Sequence, residues 1–277
     1  MTIDFNQQII KEFRANGGKV GGPFEGARLL LLTTTGARSG TPHTTPLGYL
    51  PDGGARVLVI ASAGGAPHHP AWFHNLLANP RATVENGLFT YDAQATILKG
   101  AERDHIFTRA VETDPGWATY QAKTTRIIPV IALTPINGGP PAGPLGDSLK
   151  TIHDAFRREL ALIRKEIAES GPGLGTQLRI NCLTLCQGLG NHHAGEDGQL
   201  FPFLEQKHPE LATALTRLRQ EHQTIKRLLD DLRALLTADS PDHAALVSEV
   251  ERLTTDLEAH LDHEEEQLVP ILNTVTT

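Results

Sequence analysis

Two segments of the chain repeat one spacing of side chains that bind metal ions. His192 precedes Glu196 by four residues, and His260 precedes Glu264 by the same distance, with a proline six residues after each glutamate. Side chains four residues apart stack on one face of an α-helix, so each imidazole and its carboxylate can reach the same site. Mixed nitrogen and oxygen donors suit iron, and two carboxylates can bridge a pair of ions. The repeat therefore predicts a non-haem di-iron centre.

Two more histidines, His153 and His222, lie on other helical segments of the same region. His222 and His260 lie about 13 residues, or roughly 20 Å, from helix ends that meet in an antiparallel bundle, so we expect them at one level. An exposed polar residue is the alternative for any single histidine, but it does not explain the shared spacing and level. The predicted ligand set is His153, His192, Glu196, His222, His260 and Glu264.

Several histidines and glutamates of this region fall outside the predicted ligand set. By helical geometry, the residues beside the ligands are expected to point away from the ions, either hydrogen bonding outside the ligand set or facing solvent. These residues are His193, His263, Glu265 and Glu266. His208 and His243 lie at loop edges, where we expect them to be exposed.

The elements that carry these ligands follow a stretch rich in glycine and proline, which we interpret as a linker over residues 137–147. Beyond it, apolar residues recur every three or four positions, as in Leu149, Ile152 and Phe156. Ser240 as N-cap and Pro241 at the first helical position mark the start of the last segment. Residues 148–277 are thus predicted to form an up-down-up-down four-helix bundle. Its helices are predicted over 148–170, 174–199, 209–238 and 241–273.

This pattern resembles the hemerythrin HHE family, which has a histidine on the first and third helices and HxxxE on the second and fourth. The resemblance covers residues 149–273. Oxygen-carrying hemerythrins have an HxxxH pair on the third helix, whereas here Leu218 precedes His222 by four residues and Lys226 follows it by four. The departure implies an open or water-filled iron position, which favours sensing or redox chemistry with O2, peroxide or NO over reversible oxygen carriage.

The first half of the chain contains short β-rich runs over 29–34, 44–50, 57–61, 82–84, 91–98 and 127–133. Only three helical patterns occur there: one at the N-terminus that ends near Phe13, one over 71–77 and one over 101–110. Short strands with few helices indicate an antiparallel barrel with peripheral helices. Two strand ends enter Gly-rich loops, in 33–47 and 61–80. Small residues let backbone amides approach an anion, and Arg38 and Ser39 add a charge and a hydroxyl. Phosphate binding is one interpretation, and a hairpin turn with an exposed arginine is the other.

Both loops resemble the deazaflavin-dependent nitroreductase family of split β-barrel, FMN-binding-like oxidoreductases, over residues 20–136. The matching motifs are TTTG with SG and two prolines, and GGA followed by HPAWFHNL and ANP. The resemblance implies an α+β chain with the barrel in residues 1–136 and coenzyme F420 as cofactor. Trp117 would close over the acceptor with Tyr120, the candidate catalytic proton donor. The coenzyme would be lined by Arg38, Ser39, Gly40, His43, Thr45, Pro46, Ser62, Gly64, Ala71, Trp72 and Asn75.

The chain departs from that family at three positions that bear on coenzyme charge. Ala37 and His43 stand where basic residues are usual or common, and Ala63 stands where lysine or asparagine often contacts phosphate. Fewer cations imply weaker binding or a shift towards another flavin, with FMN the less favoured cofactor. Trp72 could instead be an aromatic residue of the barrel core and not part of the coenzyme site. His68, His69 and His74 are interpreted as part of the loop motif and not as a metal site.

Composition and charge limit the partners and the cellular location that the sequence allows. The net charge is -7 and no basic stripe occurs, which argues against a nucleic-acid partner. No window approaches the roughly 18 to 20 apolar residues of a membrane span, and the N-terminus lacks a secretory pattern. We therefore expect a cytosolic protein, with peripheral attachment to the inner face of the plasma membrane left open. Cys182 and Cys186 lie four apart on a predicted helix, where packing is favoured over redox chemistry.

The leading hypothesis is a two-domain redox enzyme. Its barrel would pass a hydride from reduced deazaflavin to a quinone or nitro acceptor, while its bundle would sense or process O2, peroxide or NO. The alternative is a non-enzymatic sensor whose barrel only binds a cofactor. An iron-storage role is the weaker third hypothesis, because two ions hold little iron. A homodimer is left open, by analogy with other split barrels.

Overall fold

The computed structural model describes residues 2–138, 143–170, 174–238 and 242–275. The described residues form two compact units, one built mainly from the N-terminal half and one mainly from the C-terminal half. The first is a closed barrel and the second is helical, which confirms the predicted fold class. Among the described residues, no helix has both the length and the apolar character needed to cross a membrane.

Six antiparallel strands close the barrel in the order β1-β2-β3-β6-β5-β4. The apolar run of β1 is buried because a barrel strand packs against both the interior and the surrounding helices. A tight turn joins β2 to β3, where Asp52 N–H donates to Arg56 O at 3.1 Å. All six predicted strands are present: β1 Leu29–Thr35, β2 Pro42–Pro51, β3 Val57–Ile60, β4 Arg81–Glu85, β5 Thr90–Ile97 and β6 Val130–Gly138.

Four α-helices accompany the barrel. One side of α2 contributes Trp72, Phe73 and Leu76 to the apolar core that includes Leu30 and Val59. The short helix α4 was not predicted, because seven residues are too few for a helical period to appear. The helices are α1 Thr2–Ala15, α2 Ala71–Ala78, α3 Gly100–Thr113 and α4 Gly116–Ala122.

The second unit consists of helices whose apolar stripes form a leucine- and isoleucine-rich core and a smaller apolar cluster that contains Phe201 and Leu268. The second predicted helix is longer than expected, because a π-helical turn over Glu196–Leu200 connects α6 directly to α7. In that turn Phe201 N–H donates to Glu196 O, five residues back. A 3-10 turn over Pro209–Leu211 precedes α8. The helices are α5 Leu145–Ser170, α6 Thr176–Gly195, α7 Phe201–Lys207, α8 Ala212–Thr237 and α9 His243–Leu272.

Two predicted boundaries differ from those observed. Ser240 and Pro241 lie outside the described residues, and the N-cap of α9 is Asp242, whose side chain accepts hydrogen bonds from Ala244 N–H and Ala245 N–H. An aspartate at this position satisfies amides that the helix itself leaves unpaired. The interval between the two units is shorter than the predicted linker, since β6 ends at Gly138 and α5 begins at Leu145. Linker residues 139–142 lie outside the described residues.

Candidate dimetal centre and coenzyme cleft

Four helices of the second unit bring seven potential ligands together in two groups. His193, His222 and His260 form one group, and the ligand atoms within each group lie within 4.8 Å of one another. All six predicted ligands belong to the two groups. The second group is His153, His192, Glu196 and Glu264.

The donor atoms of these groups are buried and unpaired. The side chains of His153 and Glu264 are 0% exposed. Nine atoms of the two groups have no hydrogen-bond partner: Nε2 of all five imidazoles and both oxygens of each carboxylate. Buried polar atoms in native proteins are almost always paired, because leaving one unpaired costs about 1 to 3 kcal/mol. A metal pair would satisfy all nine atoms, so the residues fit such a centre.

Each carboxylate lies between the two groups. The Glu196 Oε1 atom is 3.0 Å from His192 Nε2, and its Oε2 atom is 3.6 Å from His222 Nε2. The Glu264 Oε2 atom is 3.4 Å from His153 Nε2 and 3.7 Å from His260 Nε2. Donors bound to one ion at about 2.0 to 2.2 Å lie roughly 3 Å apart. The two glutamates are therefore placed to bridge two ions.

The protonation of the site also points to a cation. Burial, and then the neighbouring His153, lowers the pKa of His192 to about 3, so its imidazole is neutral as a ligand must be. Burial followed by the charge of Glu264 raises the pKa of Glu196 to about 10. Burial also acts to raise the pKa of Glu264, but His153 and the other imidazoles lower it. A cation between the two buried carboxylates would favour the ionisation of both.

Three further carboxylates orient the imidazoles. Asp197 Oδ1 lies 2.9 Å from His222 Nδ1, and Glu265 Oε1 lies 3.0 Å from His153 Nδ1. Glu221 Oε2 lies 3.0 Å from His260 Nδ1. An ionised carboxylate only accepts hydrogen bonds, so each Nδ1 is the donor and each Nε2 is left with a lone pair facing the site. The hydrogen-bonding role expected for Glu265 is confirmed.

Two of these carboxylates, Asp197 and Glu221, were not predicted from the sequence. Asp197 and Glu265 each follow a ligand histidine by five residues, so the repeat is HxxxE followed by an acidic residue. That extended repeat was a detectable signal for Asp197. Glu221 shows no such signal before the helices are assembled. The prediction that His193 points away is wrong: it is 5% exposed, and its ring stacks on that of His222.

The barrel has an open cleft of about 1080 Å³ between α1, α2 and the loop that joins β1 to β2. Seven predicted coenzyme residues line it: Arg38, Ser39, His43, Thr45, Ala71, Trp72 and Asn75. Helix α1 forms a wall that the sequence analysis did not assign, with Asn6, Gln7, Ile10 and Arg14. Gly40, Pro46, Ser62 and Gly64 are not among the described residues that line the cleft.

The Asn75 side chain fixes the β1–β2 loop through two hydrogen bonds. It is 8% exposed; its Oδ1 accepts from Ala37 N–H at 2.9 Å, and its Nδ2 donates to Thr34 Oγ1 at 3.0 Å. A Cβ atom at Gly36 would lie 2.3 Å from Ser39 Oγ, so a larger residue there would displace the Ser39 hydroxyl. The loop therefore presents its backbone and the Ser39 hydroxyl to the cleft in a fixed arrangement.

The two arginines of the cleft differ in pairing. Arg14 makes an ion pair with Glu85, with N–O distances of 2.9 and 2.6 Å. Arg38 is exposed, and its guanidinium makes no hydrogen bond or ion pair within the described part of the chain. Arg38 is thus the cation that remains available to an anionic ligand.

Residues 6–135 match the family described as F420H(2)-dependent quinone reductase. Over 126 residues the chain is 36% identical to an F420H(2)-dependent quinone reductase of Mycobacterium tuberculosis (strain ATCC 25618 / H37Rv), covering 44% of this chain and 84% of that protein. The chain belongs to the F420H(2)-dependent quinone reductase family. Residues 145–272 match the hemerythrin HHE cation binding domain, so the predicted fusion is confirmed.

Two solved structures are similar to the quinone reductase region. An F420-H2 dependent reductase (FDR-A) is 42% identical over 38% of this chain and 93% of that chain, with a TM-score of 0.36. A domain-swapped dimer is 36% identical over 48% of this chain and 99% of that chain, with a TM-score of 0.38.

Trp117 and Tyr120 are not among the described residues that line the barrel cleft. Their rings lie 6.0 Å apart and pack against the core cluster that contains Leu58 and Ile60. Helix α4, which carries them, contacts the turn at Ala63–Gly65. The catalytic role of Tyr120 and the acceptor contact of Trp117 stay predictions.

Arg126 holds the second predicted loop of the quinone reductase region. Its guanidinium donates to Ala61 O, Ser62 O and Ala66 O at 3.1, 2.6 and 2.9 Å. It also lies 3.0 Å from His69 Nδ1, and burial followed by the Arg126 charge lowers the pKa of His69. Among the described residues, His69 belongs to no metal-binding group.

Proposed function

We propose that this chain is a deazaflavin-dependent oxidoreductase that reduces a quinone or a nitro compound, with coenzyme F420 in the barrel cleft and two iron ions in the bundle. The observation that carries the catalytic half is the exposed, unpaired Arg38 in a cleft whose neighbouring residues match a quinone reductase family. The observation that carries the metal half is the convergence of nine unpaired donor atoms.

The cleft residues suit the phosphate-bearing part of a coenzyme. Arg38 offers charged donors, Ser39 offers a hydroxyl, and the loop held by Asn75 supplies backbone groups. Charge-assisted hydrogen bonds of this kind are the strongest that a protein makes to an anion. Trp72 lines the cleft and also belongs to the core cluster of the barrel, so it offers a fixed apolar edge to a ring. FMN is the less favoured cofactor.

The bound deazaflavin would supply a hydride. The hydride and one proton convert a quinone to a hydroquinone, and the coenzyme leaves in its oxidised form. The work of the chain is to hold the coenzyme against the acceptor and to provide the proton. Tyr120 remains the candidate donor, since a phenol can protonate a developing oxyanion.

In the bundle, His153 and His192 would hold one ion, His222 and His260 would hold the other, and Glu196 and Glu264 would bridge them. Such a pair would supply redox chemistry with O2, peroxide or NO. The residues of the chain bury the pair and fix the imidazoles through Asp197, Glu221 and Glu265. Each site is built from residues of its own unit, so a sensing role for the iron is the second candidate.

Two measurements on the full chain test the proposal. Reduced deazaflavin is mixed with a soluble quinone, and coenzyme oxidation is followed by absorbance with Arg38→Ala as the comparison. We expect the wild-type chain to oxidise the coenzyme in the presence of quinone, and the variant to do so more slowly. If the wild-type rate equals the rate without protein, the enzyme proposal is wrong and the sensing role is the candidate that remains. Metal analysis should find about two irons per chain. Cytosolic location and a homodimer also stay predictions.

A further inference from the structure

His193 has the arrangement of a metal ligand although it stands outside the HxxxE repeat. Its Nε2 atom is buried, has no hydrogen-bond partner, and belongs with His222 and His260 to one group of ligand atoms. Its ring stacks on that of His222 with centroids 4.1 Å apart, and meets the His260 ring edge-on at 5.2 Å. A histidine that only filled space would leave this nitrogen unsatisfied at a cost of about 1 to 3 kcal/mol.

Helix geometry explains how neighbouring residues can both face the site. At about 100° per residue, Glu196 lies about 40° and His193 about 100° around the helix from His192. The ligand atoms of His192 and His193 belong to different groups, so the two neighbouring side chains reach different parts of one site. The two HxxxE segments differ here, because the position equivalent to His193 in α9 is Leu261, which is fully buried in the apolar core.

Helix α8 offers no imidazole besides His222. Leu218, four residues before it, is buried in the apolar cluster that contains Phe201 and Leu268. Lys226, four residues after it, is exposed and makes an ion pair with Asp230 at 2.6 Å. Any third imidazole for the ion beside His222 must therefore come from another helix, and His193 on α6 is in place to supply it.

We propose that His193 is the third imidazole ligand of the ion held by His222 and His260, an inference that rests on the dimetal function proposed above. Each bridging glutamate offers one oxygen to each ion. The ion beside His193 then has five protein donors, and the ion held by His153 and His192 has four. An external anion such as azide would bind at the ion with four protein donors, so the proposed centre would be asymmetric.

Iron content of the purified full chain tests the ligand assignment. The wild-type chain is expected to hold about two irons and His193→Gln about one. The matched control His208→Gln should hold about two, because His208 contacts the exposed Glu210 and belongs to neither group of ligand atoms. Wild-type protein without iron would contradict the proposed function itself. Two firmly held irons in His193→Gln, with an unchanged absorption spectrum, would overturn only the present inference.

A measurement on wild-type protein covers the case in which His193→Gln fails to fold. X-ray absorption at the iron edge should give an average of about 2.5 imidazoles per iron if five are bound, and about 2 if four are bound. Azide titration should saturate at one azide per chain. An average of two imidazoles, or saturation at two azides, would overturn the proposal.

Discussion

The bundle site and the barrel cleft differ in how their polar atoms are satisfied. In the bundle, imidazole and carboxylate atoms are buried and unpaired, and they face one another across a small space. In the cleft, Asn75 and Ser39 have partners within the loop, and Arg38 is exposed to water. The bundle therefore depends on a ligand to satisfy its interior, whereas the cleft only exchanges water for a ligand.

This difference predicts which site contributes to folding. Burying unpaired carboxylates is costly unless a cation offsets their charge, so metal binding and bundle stability are linked. Coenzyme binding to an open cleft adds stability that grows only with the logarithm of the ligand concentration. The bundle should thus respond strongly to chelators, and the barrel should respond weakly to loss of its coenzyme.

The largest expected effect is that of Glu264→Ala. The variant removes a fully buried bridging carboxylate, so both irons should be lost and the bundle should lose several kcal/mol of unfolding free energy. Calorimetry and metal analysis check this result, with the barrel transition unchanged. Glu258→Ala on the same helix is the matched control, since Glu258 is exposed. Retention of two irons by Glu264→Ala would contradict the proposal that Glu264 bridges the two ions.

Alkaline pH tests a buried acid that takes no part in metal binding. Burial raises the pKa of Cys186 from 9.0 to about 11. Between these values the unfolded thiol releases its proton while the folded thiol keeps it, so the bundle should lose about 2 to 3 kcal/mol as pH rises. Urea unfolding of the iron-loaded chain across this window measures the loss. Cys186→Ala should abolish this part of the slope, and an unchanged slope would contradict the assignment.

Arg38→Ala should weaken deazaflavin binding by about 1.5 to 3 kcal/mol, the range for hydrogen bonds to a charged group. Fluorescence titration checks this change, and barrel stability should stay the same because Arg38 makes no contact that folding needs. Arg81→Ala is the control, since Arg81 is exposed and lies outside the cleft lining. Equal losses in both variants would indicate a general charge effect.

The same difference explains what the sequence could predict. The convergence of the six predicted ligands could be inferred from the sequence because residues four apart on a helix share a face, and helical depth then places different helices at one level. The position of His193 could not, because the rule considers residues that share one face, and His193 lies about 100° around the helix from His192. In the cleft, residues near Arg38 were found by resemblance, but the α1 wall with Gln7 and Arg14 depends on packing that no local pattern records.

The smallest expected effect concerns Ala37, where a basic residue is usual in the resembling family. Only its backbone is engaged, through the N–H that donates to Asn75 Oδ1, so Ala37→Lys should leave the loop intact. The added ammonium would be exposed on the same loop as Arg38, where water and salt screen its attraction for an anionic coenzyme.

We therefore expect Ala37→Lys to tighten deazaflavin binding by only about 0.5 to 1 kcal/mol, a change of roughly two- to fivefold. Ala37→Gln matches the added length without the charge and should bind as the wild type does. Because the gain is electrostatic, it should shrink as salt is added, whereas the larger effect of Arg38 should persist where its hydrogen bonds are direct. Fluorescence titration at low and high salt separates the two. Equal tightening by lysine and glutamine, or a gain that salt does not reduce, would mean that the missing cation is not what distinguishes this cleft.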